Sequence, residues 1–288
     1  MKSIGIYYFS GTGNTALVAN TVQETFVQLG YTVDLLRIED VLKNNLTLDL
    51  NQYDFVGIGS PVIGYGTPNL VLDFIGGLPR SEGQKVFIFR TAGGVAPINY
   101  NASKTMIRRL TRKGYDVVYE RLLSISSNWI VRFEDAVIRE LVTATYRKAA
   151  LMCHEVIRGE RRYLKTGLGQ QILMETAAFL SRCFFRLVGQ DFHVGPSCSQ
   201  CGLCVRNCPT GNIYKDNGKI KFKLSCASCL RCVYSCPQQA LQLKVFKFFT
   251  VAGGYNIKQI LSHPAIANEN PAGKVPRFFE EYVVNDAL

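Results

Sequence analysis

Eight of the ten cysteines in this 288-residue chain lie between Cys198 and Cys236, in two runs that share one register. The first run is Cys198-x2-Cys201-x2-Cys204-x3-Cys208-Pro209, and the second is Cys226-x2-Cys229-x2-Cys232-x3-Cys236-Pro237. Two-residue spacers let the three leading thiolates of a run converge on one inorganic core. A secreted disulfide framework would not cluster its cysteines behind a long cysteine-poor segment. The opening Met1-Lys2-Ser3-Ile4 leads into a strand pattern and not into a signal peptide, so the expected compartment is the cytoplasm. Structural zinc on four-cysteine sites is the competing expectation, but zinc has no need of a repeated x2-x2-x3-Pro register. The outlying Cys153 and Cys183 are expected to be buried apolar thiols.

The double run resembles the bacterial two-cluster ferredoxin pattern, in which the fourth cysteine of each run serves the other cluster. The resemblance implies one [4Fe-4S] cluster on Cys198, Cys201, Cys204 and Cys236. It implies a second on Cys226, Cys229, Cys232 and Cys208. A pair of clusters forms an electron path, whereas a structural staple needs only one. The small residues Ser199, Gly202, Ala227 and Ser228 leave backbone amides free to approach the sulfurs.

The first 125 residues alternate between strand and helix. Strands are expected at 2–9, 32–38, 53–59, 86–90 and 116–123, and helices at 14–29, 70–75 and 98–113, with Gly30 stopping the first helix. Strand, helix, strand in repetition predicts a parallel sheet covered on both faces. Two longer helices follow, at 133–158 and 168–188, separated by the basic Arg158-Gly-Glu-Arg-Arg. The last 45 residues show little pattern, and Ala-Ile-Ala-Asn-Glu-Asn-Pro-Ala-Gly-Lys-Val-Pro reads as loop.

Gly11-Thr12-Gly13-Asn14-Thr15-Ala16 fits G-x-G-x-x-G/A, and Glu39 after the second strand could serve a dinucleotide ribose. The hydroxyls of Ser10, Thr12 and Thr15 point instead to a terminal phosphate enclosed by side chains and helix-start amides. Two more loops leave the carboxyl ends of strands: Ser60-Pro61-Val62-Ile63-Gly64-Tyr65 and Thr91-Ala92-Gly93-Gly94. A phosphate loop followed by two such loops resembles flavodoxin, and with the eight cysteines the chain resembles the flavodoxin–ferredoxin fusions of anaerobes often labelled EFR-type ferredoxins. The resemblance implies an α/β fold: a flavodoxin-like, doubly wound, parallel five-stranded sheet in residues 1–160. A helical link (161–190), a small α+β 2[4Fe-4S] ferredoxin domain (191–244) and a tail packing on the rest (245–288) would follow. It implies FMN held by Ser10, Gly11, Thr12, Gly13, Asn14, Thr15, Ser60, Pro61, Val62, Ile63, Gly64, Tyr65, Thr91, Ala92, Gly93 and Gly94. Tyr65 is the natural stacking residue, Gly93 and Gly94 would leave open room above the ring or admit a neighbouring domain, and Trp129 is expected in core packing, with a place near the ring's edge as the alternative. His154, His193 and His263 are isolated and carry no expectation.

The formal charge of +11 first suggests nucleic acid. Two loaded four-iron clusters would lower it to roughly +7, and no aromatic-interleaved basic stripe supports nucleic-acid binding. The expected function is electron transfer between two clusters and FMN, with reduction of a small organic acceptor at the flavin or delivery to another redox protein, acidic in charge. A catalytic acid–base pair is not readable. Basic residues beside the apolar 172–188 helix also permit membrane-surface contact, ranked below a solvated turn leading into a core helix.

Overall fold

The computed structural model describes residues 2–262 and 277–286. The loop expected at 265–276 lies outside the described residues, as does His263. In chain order the elements are β1 (Ser3–Tyr8), α1 (Asn14–Gln28), β2 (Thr32–Arg37), α2 (Ile38–Lys43), β3 (Phe55–Pro61), α3 (Asn69–Gly77) and β4 (Lys85–Ala92). Then come α4 (Pro97–Tyr100), a single 3-10 turn (Asn101–Ser103), α5 (Lys104–Arg112), β5 (Asp116–Ser124), α6 (Asp135–Ile157) and α7 (Leu168–Val188). The cysteine-rich part holds β6 (Phe192–Val194), α8 (Leu203–Asn207), β7 (Ile213–Asp216), β8 (Lys219–Phe222), α9 (Arg231–Tyr234) and β9 (Leu241–Leu243). Two further helices close the chain, α10 (Ile257–Ser262) and α11 (Arg277–Val284).

All five N-terminal strands pair in parallel in the order β2-β1-β3-β4-β5, which is the flavodoxin-like order. Alternate residues of each central strand feed two apolar layers. Ile4, Ile6, Phe87 and Phe89 face α1 and α6 through Val18, Val22, Phe26, Ile138 and Met152. Tyr7, Val56, Ile58 and Ile88 face α3 and α5 through Leu70, Phe74, Met106 and Leu110. Both faces are thus apolar, as a buried parallel sheet requires. Gly57 and Gly59 are needed in β3, because a Cβ at either would stand 2.4 Å from the ring of Phe87 or Phe89.

The expected helix over 98–113 is broken. Ser103 turns its hydroxyl to the Glu120 carboxylate and Asn101 donates to the Gln170 carbonyl. These tertiary bonds replace the continuous helical ladder with a 3-10 turn. The patternless tail also contains two helices. Ile257 and Ile260 of α10 join the α1–α6 layer. In α11, Phe279 packs edge-on to Phe133 at 5.2 Å, and the Tyr282 hydroxyl accepts a bond from the Ser124 amide.

Helix α7 is not the core helix expected. It buries only Met174, Ala178, Phe185 and Val188, and its opposite face is open. Cys183 lies on that open face, so the expectation of a buried thiol there is wrong; helical phase sets it opposite the inward stripe. Cys153 is buried as expected, with its thiol on the Ala149 carbonyl, and burial drives its pKa well up.

Phe279 is fully buried against α6. Phe279→Ala is expected to cost about 3 kcal/mol by leaving a cavity, read as a lower midpoint in chemical denaturation.

Candidate functional site

A cleft of about 440 Å³ opens at the carboxyl ends of β1, β3, β4 and β5, where ligands bind in open α/β sheets. Its floor is the loop between β1 and α1. Gly13 caps α1 at φ 107°, where a Cβ would strike Ile257 at 2.8 Å, so glycine is required there. The Gly13 amide donates to the Ser10 hydroxyl at 3.2 Å. Thr15 and Thr91 share a hydroxyl bond at 2.8 Å that joins this loop to the end of β4. Asn14 donates to the Ser126 carbonyl and accepts from the Tyr255 hydroxyl, and Asn128 donates to the Thr12 hydroxyl at 2.5 Å. The loop is therefore clamped from the β5 end and from the tail.

Thirteen of the sixteen expected residues line the cleft: Ser10, Gly11, Thr12, Asn14, Thr15, Pro61, Val62, Ile63, Gly64, Tyr65, Thr91, Ala92 and Gly93. Three do not. Gly13 faces Ile257, the buried Ser60 hydroxyl donates to its neighbour's carbonyl, and the Gly94 carbonyl is held by the Asn99 amide. A Cβ at Gly93 would meet Ser127 at 2.9 Å, and Gly93 and Asn99 both line the cleft. Tyr65 sits at φ 62° at the rim and is 44% exposed.

Residues missed by sequence reading close the cleft. Ser126, Ser127 and Asn128 form a fourth loop after β5, and the run of hydroxyl and amide residues there was its signal. Trp129 lines the same wall, packed on Phe185 at 5.1 Å and Phe249 at 4.9 Å. Ser181, Phe184 and Phe185 come from α7. Loop Ile63–Gly66 lies so close to α7 that a Cβ at Gly64 would be 2.5 Å from Phe185. Among the described residues, the lining carries no charged side chain, so an anion here is met by amides, hydroxyls and the α1 dipole. Arg90 lies beneath, fully buried, with its guanidinium on the Asn99 carbonyl at 2.8 Å and Glu120 at 3.6 Å. Burial lowers its pKa to about 10, so it stays charged at neutral pH.

The two cysteine runs fold alike. Left-handed residues recur two, four and thirteen positions after each leading cysteine: Gln200, Gly202 and Gly211 in one, Ser228, Leu230 and Gln239 in the other. These turns aim amides at sulfur. Gln200 donates to Cys198, Asn212 to Cys208, Ser228 to Cys226 and Ala240 to Cys236, at 3.2–3.4 Å. Ser228 matches the expectation of a small residue freeing its amide; Gln200, Asn212 and Ala240 were not anticipated. Cys198, Cys201, Cys204 and Cys236 line one small cavity. Cys232 lies within electrostatic reach of Cys229, Cys226, Cys208 and Cys204. Cys236 of the second run thus shares a cavity with the three leading cysteines of the first. Among the described residues, no three ligating side chains crowd together as around one metal ion. Burial pushes the Cys226 thiol to about 12, so loading of this group must displace protons.

The two sites touch. Cys229 lines the cleft, and a Cβ at Gly11 would stand 2.6 Å from the Cys229 carbonyl oxygen. Arg231 donates to the carbonyls of Ser10, Gly11 and Asn207 and pairs with Glu39 at 2.5 Å. Glu39, the candidate ribose ligand of a dinucleotide fold, is only 2% exposed and is committed to that pair.

Residues 197–248 match the family model of the 4Fe-4S dicluster domain. No curated protein matches the chain. Solved structures similar to it include flavodoxin 1 from Bacillus cereus (21% identity, 51% of this chain and 98% of that one, TM-score 0.35). Flavodoxin 2 from the same organism is similar at 22% identity over 54% of this chain and 99% of that one, TM-score 0.40. Azoreductase from Bacillus anthracis is similar at 14% identity over 54% of this chain and 100% of that one, TM-score 0.37. At such TM-scores the flavodoxin-like assignment rests on the strand order itself. The chain joins a flavodoxin-like α/β fold to a 4Fe-4S dicluster domain in one redox polypeptide.

Arg231→Ala strips a nearly buried Glu39 of its partner and frees two loop carbonyls. A loss of about 3 kcal/mol is expected, measured by denaturant unfolding, with Arg231→Lys recovering only part because it lacks the fork of donors.

Proposed function

We propose that this protein is an FMN- and iron–sulfur-dependent oxidoreductase that moves electrons between two [4Fe-4S] clusters and FMN and reduces a small organic acceptor at the cleft mouth. The observation that carries the reading is the position of Cys229, which lines the same cleft as Ser10, Thr12 and Thr15. When bound, the clusters exchange single electrons and FMN one or two, so the pairing interconverts one-electron supply and two-electron chemistry.

The chain's own residues fit that division of work. Ser10, Thr12, Thr15 and the first amides of α1 would hold the phosphate, with no lysine needed. Loops 61–65 and 91–93 would flank the ring, while Trp129, Phe185 and Phe249 exclude water from its inner side. Cys226, Cys229, Cys232 and Cys208 would hold the inner cluster. Cys198, Cys201, Cys204 and Cys236 would hold the outer one, where Cys201 is exposed and open to a donor. The rim residues Tyr65 and Ile130 are exposed at the mouth, which is where a small acceptor would enter.

Anaerobically prepared protein is expected to carry about eight irons and one FMN per chain. Thr12→Glu should retain the iron and lose at least nine-tenths of the FMN, because a carboxylate repels the phosphate and the helix-start field offsets only about 1 kcal/mol. Full FMN retention in this variant, or stoichiometric zinc in place of iron, overturns the reading.

Stopped-flow absorbance tests the enzyme assignment. Reduced protein should be reoxidised by quinones, nitroaromatics or activated alkenes with saturation. A one-electron donor should reduce the FMN at least tenfold more slowly in Cys229→Ser. Non-saturating reoxidation by every small acceptor, with fast exchange only to a partner protein, would instead make the chain an electron carrier.

A further inference from the structure

Helix α7 is apolar on two opposite faces. The inner face packs on the protein through Met174, Ala178 and Phe185, while the outer face exposes Ile172, Leu173, Phe179, Leu180 and Leu187, each 59–67% accessible. These positions fall on one side of the helix, with only Thr176 and Cys183 between them. Such a patch on a folded chain marks a surface that something else covers.

The patch continues beyond the helix. Phe184 meets Phe246 at 5.2 Å, and Phe246 meets Phe248 at 6.1 Å. Val245 and Phe248 are exposed at 73% and 57%. Phe184, Phe249 and Ile130 belong to the cleft lining as well, so the apolar surface runs to the cleft mouth.

Charge decides what covers it. Arg186, Lys244 and Lys247 are exposed around the patch. Of the nearby acids, Glu175 pairs with Arg108 at 2.7 Å, and the Asp191 carboxylate is held inward by the amides of Val245 and Phe246, leaving three exposed cations against one unpaired carboxylate. Two copies meeting through this face would set like charges against each other. An apolar stripe rimmed by cations matches an anionic bilayer, where Lys and Arg meet headgroups while apolar side chains enter the acyl boundary. Among the described residues, no helix is long and apolar enough to cross a membrane, so α7 would lie in the surface plane.

We propose that the outer face of α7, with Val245 and Phe248, seats the protein on an anionic lipid surface with the cleft mouth turned toward the bilayer. Seating depends on no bound cofactor, so it stands or falls separately from the redox assignment. Combined with that assignment, it makes a lipid-soluble acceptor such as a quinone the substrate class with shortest access.

Co-sedimentation of the full cofactor-loaded chain with vesicles tests it. Binding is expected to phosphatidylglycerol–phosphatidylcholine vesicles at low salt, at least tenfold weaker with phosphatidylcholine alone or at about 0.5 M salt. Phe179→Ser/Leu180→Ser should weaken binding at least tenfold with iron and FMN content unchanged. Lys244→Glu/Lys247→Glu, which leaves the apolar face intact, should abolish the preference for anionic vesicles. Absence of wild-type binding, or binding that neither variant changes, overturns the proposal. So does a wild-type dimer in analytical ultracentrifugation that Phe179→Ser/Leu180→Ser converts to monomer.

Discussion

The Arg231 guanidinium is a main tie between the two halves of this molecule. Arg231 opens α9 one residue beyond Leu230, a non-glycine residue held in the left-handed region. From there its fork of donors reaches two carbonyls of the β1–α1 loop, one carbonyl of α8's end and the Glu39 carboxylate. Charge-assisted bonds of this kind are shorter and stronger than neutral ones. Their acceptors on the loop are carbonyls, so Arg231 leaves the loop's hydroxyls to other partners. The contact works only because Gly11 has no side chain, since any Cβ would collide with Cys229. One glycine therefore serves both the turn of the loop and the approach of the cysteine-rich part.

A second buried ion fixes the cover of the cleft. Glu120, in the middle of β5 and fully buried, receives Ser103, Lys104 and the Leu164 amide and lies near Arg90. Lys104 also holds the Leu164 carbonyl at 2.7 Å. Burying a carboxylate is costly unless its oxygens are saturated by donors, and here the donors come from three separate segments. Saturating Glu120 thereby sets the path of residues leading into α7. Through Arg90 and Asn99 the same network steadies the loop after β4. The position of α7 over loop 61–66 follows from this anchor together with the glycines at 64 and 66, which admit the helix at close range.

Much of this was legible in the sequence. The five strands and α1 were visible because a parallel sheet buried on both faces forces continuous apolar runs. Helix α7 was predicted over the residues it occupies, 168–188, because its apolar spacing is strong. Its burial was misjudged, because apolar spacing cannot tell a face turned to the core from one turned to a partner surface. The partner of Glu39 was not readable for a related reason: a short motif states which residue types are present but not which neighbour claims them. Helices α10 and α11 escaped notice, being too short for periodicity to register and held by contacts with α6 more than one hundred residues earlier.

By itself, the sequence determined the eight-cysteine register, the five strands of the sheet with α1, and the hydroxyl-rich loop before α1. Each depends on local spacing, which the chain carries however it folds. Tertiary structure alone decided that Cys229, out of eight equivalent cysteines, abuts the cleft. It also decided that α7 closes that cleft, and that Arg231 reaches residues 220 positions away. These outcomes depend on how two independently patterned halves dock. Docking is set by shape at Gly11 and Gly64 and by the pairing of buried charges, quantities that exist only once distant segments share one surface.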